Sequence, residues 1–308
     1  MAPDRTDPFT SEGEWLRCAL HAHTTRSDGE LEPEGLAAHY GRAGYDVLAI
    51  TDHWKRTEAP STDDLVVLPS VELNCILPGA RDGHVLGYGI AADADLAALG
   101  AEYADLERTA AFIQAHGGVA YLAHPYWTGV TPAGFQLPEN VAGIEVWNAG
   151  CELEVGRGLS SVHWDELLET GRSCYGLVTD DSHHPGFDSD HGWTWLRVAE
   201  RTPAAVLAAL ASGSFYGSSG PLLHAVEVAG DEVEVSCSPA RSITLVSGRS
   251  TGAAVNAGRL GYRYAGKVLA TADDGLITQA RLTKPFGATF ARLEVTDAVG
   301  RRAWTNPL

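Results

Sequence analysis

The 308-residue chain reads as an α/β fold followed by a small all-β module, and three observations carry that reading. Short apolar runs alternate with helical patterns from residue 18 to about 215, which implies a parallel sheet with right-handed crossovers, open or closed into a barrel. The helical period then disappears after Gly213-Ser-Phe-Tyr-Gly-Ser-Ser-Gly-Pro221. Histidines and acids recur just past the apolar runs, where parallel α/β proteins keep their active sites. The expected organisation is an N-terminal extension over 1–17, a barrel-type domain over 18–220 and a β-module over 221–308.

Taken in order, the runs that predict buried strands are 18–20, 47–50, 65–68, 85–90, 119–122, 144–147, 175–178 and 193–198. Helical stretches at 32–43, 95–116 and 162–170 each end near a glycine, as helix C-termini commonly do. A further helix over 202–211 opens with Thr202 and Pro203, a good N-cap and first-turn pair. Beyond 221, alternation such as Ala225-Val-Glu-Val228, Glu232-Val-Glu-Val235 and Leu293-Glu-Val295 predicts antiparallel strands.

Composition narrows the function. Hydrophobic residues make up 44% and charged residues 20%, an ordinary globular balance. The net charge of -18, with no Lys/Arg cluster, argues against non-specific binding of nucleic-acid duplex, which needs several cationic phosphate contacts. No apolar run approaches the roughly 20 residues of a membrane span, and the first ten residues lack the apolar core of a signal peptide. The five cysteines are dispersed without a C-x-x-C pair, so they read as reduced and structural, with a cytoplasmic address.

The chemistry starts at His21-Ala-His23. Side chains two apart on a strand share a face, so these imidazoles can meet at one point. Thr51-Asp-His53 follows the second run, Glu72 the third, His124-Pro125 the fifth and Asp181-Ser-His183 the seventh. His84 precedes its run, so its strand either runs antiparallel or delivers its ligand from the other end. Asp180 and His184 flank Asp181 and His183, and the D-x-H spacing favours the inner pair. A lone histidine of this kind is usually a hydrogen-bonded core residue; the whole set points to metal.

The motifs His21-Ala-His23, Ser27-Asp-Gly29, Ile50-Thr-Asp-His53, Val71-Glu72, His84, Ala123-His-Pro125 and Asp180-Asp-Ser-His183 resemble, in order, the ligand motifs of the PHP (polymerase and histidinol phosphatase) superfamily. The Asp-Asp-Ser-His-His run, the 213–221 segment and the terminal Ala303-Trp-Thr-Asn-Pro307 are similar to the branch that includes carbamate-ester hydrolases. This resemblance implies a distorted (β/α)7 barrel and two or three divalent ions, Zn, Mn or Fe. It implies that His21, His23, Glu72 and Asp181 hold a first ion. Glu72 would bridge to a second on His84 and His124, and Asp28, His53 and His183 would hold a third. Many PHP phosphatases carry histidine where this chain has Asp28, which makes the third site harder. A metal-bridging hydroxide would be the nucleophile, since metal binding lowers the pKa of water from 15.7 to about 7. Three ions against three ligand carboxylates and one hydroxide leave about two positive charges, and two ions leave about none. The first count favours an anionic substrate.

Other candidates are individually weaker. Asp52 is placed to orient a ligand histidine or to cap a turn. Lys55, Arg56 and Arg81 are the cations nearest the motifs, candidates for a substrate phosphate or plain solvated charges. Asn148 follows a strand end and is a candidate substrate contact, whereas Glu145 inside that run reads as a buried hydrogen-bonded acid. His184 and His191 are candidate general acids, and Tyr126 and Trp127 are candidate pocket walls or core aromatics. The leading expectation is a metal-dependent phosphoesterase for a small phosphorylated metabolite or nucleotide. A carboxylic or carbamic ester or amide hydrolase with the same metal core is the alternative. A non-catalytic metal-binding module comes third, because all nine ligand positions are filled.

Overall fold

The computed structural model describes residues 6–79, 81–100, 104–133, 135–258 and 261–308; the side chain of Arg81 lies outside the described residues. The first part of the chain forms β1 (Glu14–Ala19), α1 (Pro33–Arg42), β2 (Val47–Ile50), β3 (Val66–Leu77), β4 (Arg81–Tyr88), α2 (Leu106–Ala115) and β5 (Val119–Leu122). It continues through β6 (Val141–Asn148), α3 (Ala149–Val155), α4 (Ser161–Glu169), β7 (Tyr175–Thr179), α5 (Pro185–Asp188), β8 (Trp193–Val198), α6 (Pro203–Ser212) and β9 (Phe215–Ser218).

The helix starts follow local chemistry. Thr202 accepts from the Ala205 amide and Pro203 takes the first turn of α6, the capping that the sequence predicts. The single helix expected over 95–116 is instead interrupted. Asp95 caps only the short 3₁₀ turn Leu96–Leu99, Gly100 ends it with a left-handed φ of 71°, and Asp105 caps α2 afresh through the Arg108 amide.

β1–β2–β3 and β5–β6–β7 pair in parallel, while β4 runs antiparallel to both β3 and β5. The His84 strand is therefore reversed, one of the two options its placement in sequence leaves. β3 extends well past the expected 65–68 run. Its second half alternates buried Val71, Leu73, Cys75 and Leu77 with the facing side chains Glu72 and Asn74, forming a long hairpin with β4. β8 is antiparallel to both β1 and β9.

The remaining strands are β10 (Leu223–Ala229), β11 (Glu232–Ala240), β12 (Ser242–Ser247), β13 (Gly252–Asn256), β14 (Arg263–Tyr264), β15 (Gly266–Thr271), β16 (Ile277–Thr283), β17 (Ala291–Thr296) and β18 (Arg302–Thr305). β10, β11, β16 and β15 make a four-stranded antiparallel sheet. β18 pairs with β9, so β12–β14, β17 and β18 extend the main sheet to fourteen strands. Val233, Val235, Ile243, Leu245 and Leu293 pack together as a core contributed by strands of both sheets.

The ladder order is open, with β7 at one end, and no backbone ladder joins β7 to β8 or β1 among the described residues. The closed barrel expected from the resemblance is thus not seen in the pairing. The sheet nevertheless curls on itself, because Leu16, Val47, Val66, Tyr88, Tyr121, Leu177 and Leu196, from seven different strands, share one buried core. A side chain stitches the gap. The buried Thr194 hydroxyl donates to Val178 O at 2.9 Å and accepts from Val178 N at 3.2 Å. Thr194→Val keeps the shape and deletes both bonds, leaving buried backbone groups unpaired. We expect a loss of about 1–3 kcal/mol, read from urea unfolding midpoints; an unchanged midpoint would refute the stitch.

Candidate metal centre

The chain just beyond β1 and the chain just beyond β7 meet at one end of the sheet. The Asp181 amide donates to His21 O at 3.0 Å and the His23 amide to Ser182 O at 2.9 Å, with a parallel bridge between Ala22 and Ser182. This pairing sets His21 and His23 beside Asp181 and His183, and the His23 and His183 rings stack 4.2 Å apart. His53 lies just past β2 and bridges to Glu72 on β3; His84 comes from β4, and His124 follows β5.

Glu72 is the hub. Its Oε2 lies 3.1 Å from His21 Nε2, 3.2 Å from His23 Nε2 and 3.4 Å from His53 Nδ1. Its Oε1 lies 2.9 Å from His84 Nδ1 and 3.3 Å from His124 Nε2. Asp181 Oδ1 lies 3.0 Å from His21 Nε2 and 3.2 Å from His23 Nε2. Asp28 sits 3.5 Å from each of His23 Nδ1, His183 Nε2 and His53 Nε2. The structure therefore brings all nine expected residues together in four overlapping groups, one of which also includes Cys151, with Asp181 and His183 inside the cluster. Asp180 instead accepts from the amides of Asp190, His191 and Gly192, and the side chain of His184 is mostly exposed.

These donors fit a divalent cation. His21 Nε2, His23 Nε2, Glu72 Oε2 and Asp181 Oδ1 form a group whose nitrogen–oxygen separations are 3.0–3.2 Å. Tetrahedral ligands at about 2.0 Å from an ion lie about 3.3 Å apart. His23 Nε2, His53 Nδ1, His124 Nδ1 and Asp181 Oδ1 are also buried without a hydrogen-bond partner. His124 and Asp181 adopt positive φ values of 28° and 57°, backbone strain of the kind that clusters at functional sites.

Electrostatics couples the groups. Burial would raise the Glu72 carboxyl, but the His21 and His84 imidazoles hold it well below the usual carboxylate range. Burial would likewise lower His23, yet the Asp181 and Glu72 carboxylates, each 3.2 Å from its Nε2, raise it to about 9. Hydrogen bonds from His183 and His53 hold Asp28 far below its ordinary value. Asp180, outside the cluster, is pushed up to about 6 by burial, only partly offset by its three backbone donors.

Glu145 supports the cluster from behind. Its Oε1 lies 2.7 Å from His21 Nδ1 and accepts from Thr179 Oγ1 at 2.7 Å. Its Oε2 accepts from the His124 amide at 2.9 Å and from Asn148 Nδ2 at 2.8 Å. A carboxylate on the far nitrogen of a ligand histidine fixes its tautomer and orientation. The signal in sequence is a lone acid inside an apolar strand, and it correctly marks a buried hydrogen-bonded group.

The weaker candidates divide. The cluster opens into a cleft of about 470 Å³ whose walls include Trp127, Leu153, Glu154, Phe187 and His184. Of these, Leu153, Glu154 and Phe187 carry no motif and are invisible to sequence reasoning. Asp52 is not on the cleft wall. Its oxygens accept from Thr24 N, Thr24 Oγ1, Ser27 Oγ and Thr57 Oγ1, bonds that fold the loop carrying Asp28. Asn148 is fully buried behind Asp181, donating to its Oδ2 at 3.0 Å, and so does not face a substrate. His191 faces a different cleft beside Trp147 and Trp193, and the Tyr126 ring lies by His163 and Arg157. Lys55 and Arg56 line a separate groove, where Arg56 donates to Ile90 O at 2.7 Å and pairs with Glu58. Arg81 begins β4, and its side chain lies outside the described residues. No lysine or arginine is among the described residues lining the metal cleft.

All five cysteines are buried and unpaired, and no helix among the described residues is long and apolar enough to cross a membrane. No family model matches the chain, and no curated protein matches it. Among solved structures it is similar to a two-domain protein from Bacteroides vulgatus, described as containing a predicted PHP-like metal-dependent phosphoesterase. That match has 15% identity and a TM-score of 0.52, covering 100% of this chain and 99% of the other. It also matches a metal-dependent phosphoesterase, described as putative, from Bifidobacterium adolescentis (16% identity, TM-score 0.42, 56% of this chain and 89% of the other). A third match is an amidohydrolase from Chromobacterium violaceum (19% identity, TM-score 0.40, again 56% and 89%). At this level of identity the full-length likeness establishes one thing: the chain shares the fold of the Bacteroides protein from end to end.

Proposed function

We propose that the chain is a metal-dependent phosphoesterase of PHP type that hydrolyses a small phosphate ester. The catalytic unit would span residues 18–220, with 221–308 as its β-module. The observation that supports the phosphate preference is the grouping of Asp28 with His23, His53 and His183, a place for a third cation. The buried Glu145 carboxylate belongs in the charge balance. With it and the hydroxide, three divalent ions against four carboxylates leave about one positive charge, and two ions leave about one negative charge. A phosphate ester is therefore drawn in only when the Asp28 group is filled.

Bound divalent ions would supply Lewis acidity and a water acidified to about pKa 7. The chain's own residues do the rest. Glu72 and Asp181 hold the imidazoles of His21 and His23 to one point, and Glu145 fixes the His21 ring from behind. His184, on the cleft wall, is the group we assign to protonate the leaving oxygen. The substrate is small and anionic, and the reduced cysteines suit a cytoplasmic enzyme.

One observation favours a second reading, hydrolysis of a carboxylic or carbamic ester: no cation lines the cleft among its described residues. Asp28→Asn separates the two. We expect its turnover of p-nitrophenyl phosphate to fall at least about tenfold more than that of p-nitrophenyl acetate, since about 1.4 kcal/mol of lost attraction is a factor of ten. Equal losses on both, or wild-type turnover of the acetate alone after Mn²⁺ or Zn²⁺ loading, would refute the phosphoesterase assignment.

A further inference from the structure

Of the five buried cysteines, Cys151 alone lines the metal cleft among the described residues. It sits in the first turn of α3, which is tied to the end of β7. The Gly150 amide donates to Asp180 O at 2.7 Å, the Cys151 amide to Asn148 Oδ1 at 2.8 Å, and Asn148 Nδ2 to Asp181 Oδ2 at 3.0 Å. These bonds hold the thiol against the cluster. Cys151 Sγ is 3.9 Å from Asp181 Oδ2, and His124 Nε2 is 4.0 Å from the same oxygen. One ligand atom from each of His124, Cys151 and Asp181 lies within 4.8 Å of the others.

A tetrahedral ion about 2.3 Å from sulfur and about 2.1 Å from oxygen puts those two atoms about 3.6 Å apart. The sulfur–oxygen spacing needs about 0.3 Å of closure and the nitrogen–oxygen spacing about 0.6 Å. Independently of the thiol, His124 and Asp181 are more than nine-tenths buried, and His124 Nε2 also lies 3.3 Å from Glu72 Oε1 on the same side of the cluster. Two buried nitrogen and oxygen donors grouped with a soft sulfur donor make a ligand set, whereas the other four cysteines pack in apolar clusters away from the cleft.

We propose that Cys151 is a thiolate ligand of the ion held on the His124 side of the cluster, completing an N, O, S donor set with His124 and Asp181. The proposal rests on the metal-centre reading above. On binding, the S–H bond breaks, its proton passes to solvent, and a sulfur–metal bond forms with no change of oxidation state. A thiolate selects zinc over manganese at this position, because soft sulfur disfavours the harder ion.

Cobalt(II) loading of wild type and Cys151→Ser tests it, with free ion removed and bound cobalt counted. We expect a near-ultraviolet sulfur-to-cobalt charge-transfer band in wild type and none in the variant. Zinc affinity should fall at least about tenfold, the lower end of what even outer partners of metal ligands cost, with manganese affinity less affected. Cobalt bound by both proteins with identical spectra overturns the thiolate ligand and leaves the metal centre standing. No cobalt uptake by wild type overturns both. Should the serine variant fail to fold by circular dichroism, Cys151→Ala makes the same comparison.

Discussion

Replacing Glu72 by glutamine is expected to drop bound metal below one ion per chain and turnover by at least about 10³-fold. Glu72 contacts five imidazoles, with Oε2 turned to His21, His23 and His53 and Oε1 to His84 and His124. A neutral amide keeps the shape but offers one oxygen, and its NH₂ group points a donor at ligand nitrogens. The charge that would draw two cations together is lost. Metal polarisation is worth several kcal/mol of transition-state stabilisation, and about 4 kcal/mol is a factor of about 10³. Elemental analysis beside a steady-state assay checks this. Full metal content in a folded Glu72→Gln protein would remove Glu72 as the hub.

Glu145 carries the second large effect, on stability as well as metal. Its two oxygens serve His21, Thr179, the His124 amide and Asn148, all fully or almost fully buried. Leucine at this position strands those groups. At about 1–3 kcal/mol for each buried unsatisfied group, the loss is on the order of 5 kcal/mol, a large part of a typical 5–15 kcal/mol stability. Glu145→Leu should therefore be largely insoluble or unfold at much lower urea. Glu145→Gln should fold and lose about 10–100-fold in metal affinity, as outer partners of ligand histidines usually do. A chelator competition showing wild-type affinity in Glu145→Gln would refute the supporting role.

How much of this was legible in the residues depends on how local each signal is. The strands over 47–50 and 119–122 coincide with short apolar runs that are almost wholly buried, and 193–198 coincides with its run while alternating buried and half-buried residues. β3 runs well past its apolar run over 65–68. Its continuation alternates apolar and polar residues, the texture of a hairpin rather than of a buried parallel strand. That hairpin turns His84 toward Glu72 although His84 precedes its apolar run. The nine clustered residues could be named because most lie in short motifs just past apolar runs. Asp28 could be named, but its loop is held by three hydrogen bonds to Asp52, which no spacing reveals. Lys55 and Arg56 failed as cleft residues for the converse reason: closeness in sequence to His53 does not set direction, and Arg56 turns to Ile90 and Glu58.

The unpaired edge of β7 has a mechanical meaning. Backbone ladders leave a gap there, bridged by Thr194 and by the short contact between residues 21–23 and 181–182. An ion shared by His21, His23 and Asp181 would be a cross-link between chain positions far apart in sequence. Such a clasp lowers the entropy of the unfolded chain much as a long-loop disulfide does. On the proposed reading, loading the centre and fastening the curled sheet are then one event, and an enzyme stripped of its ions would loosen first along the seam that carries its own ligands.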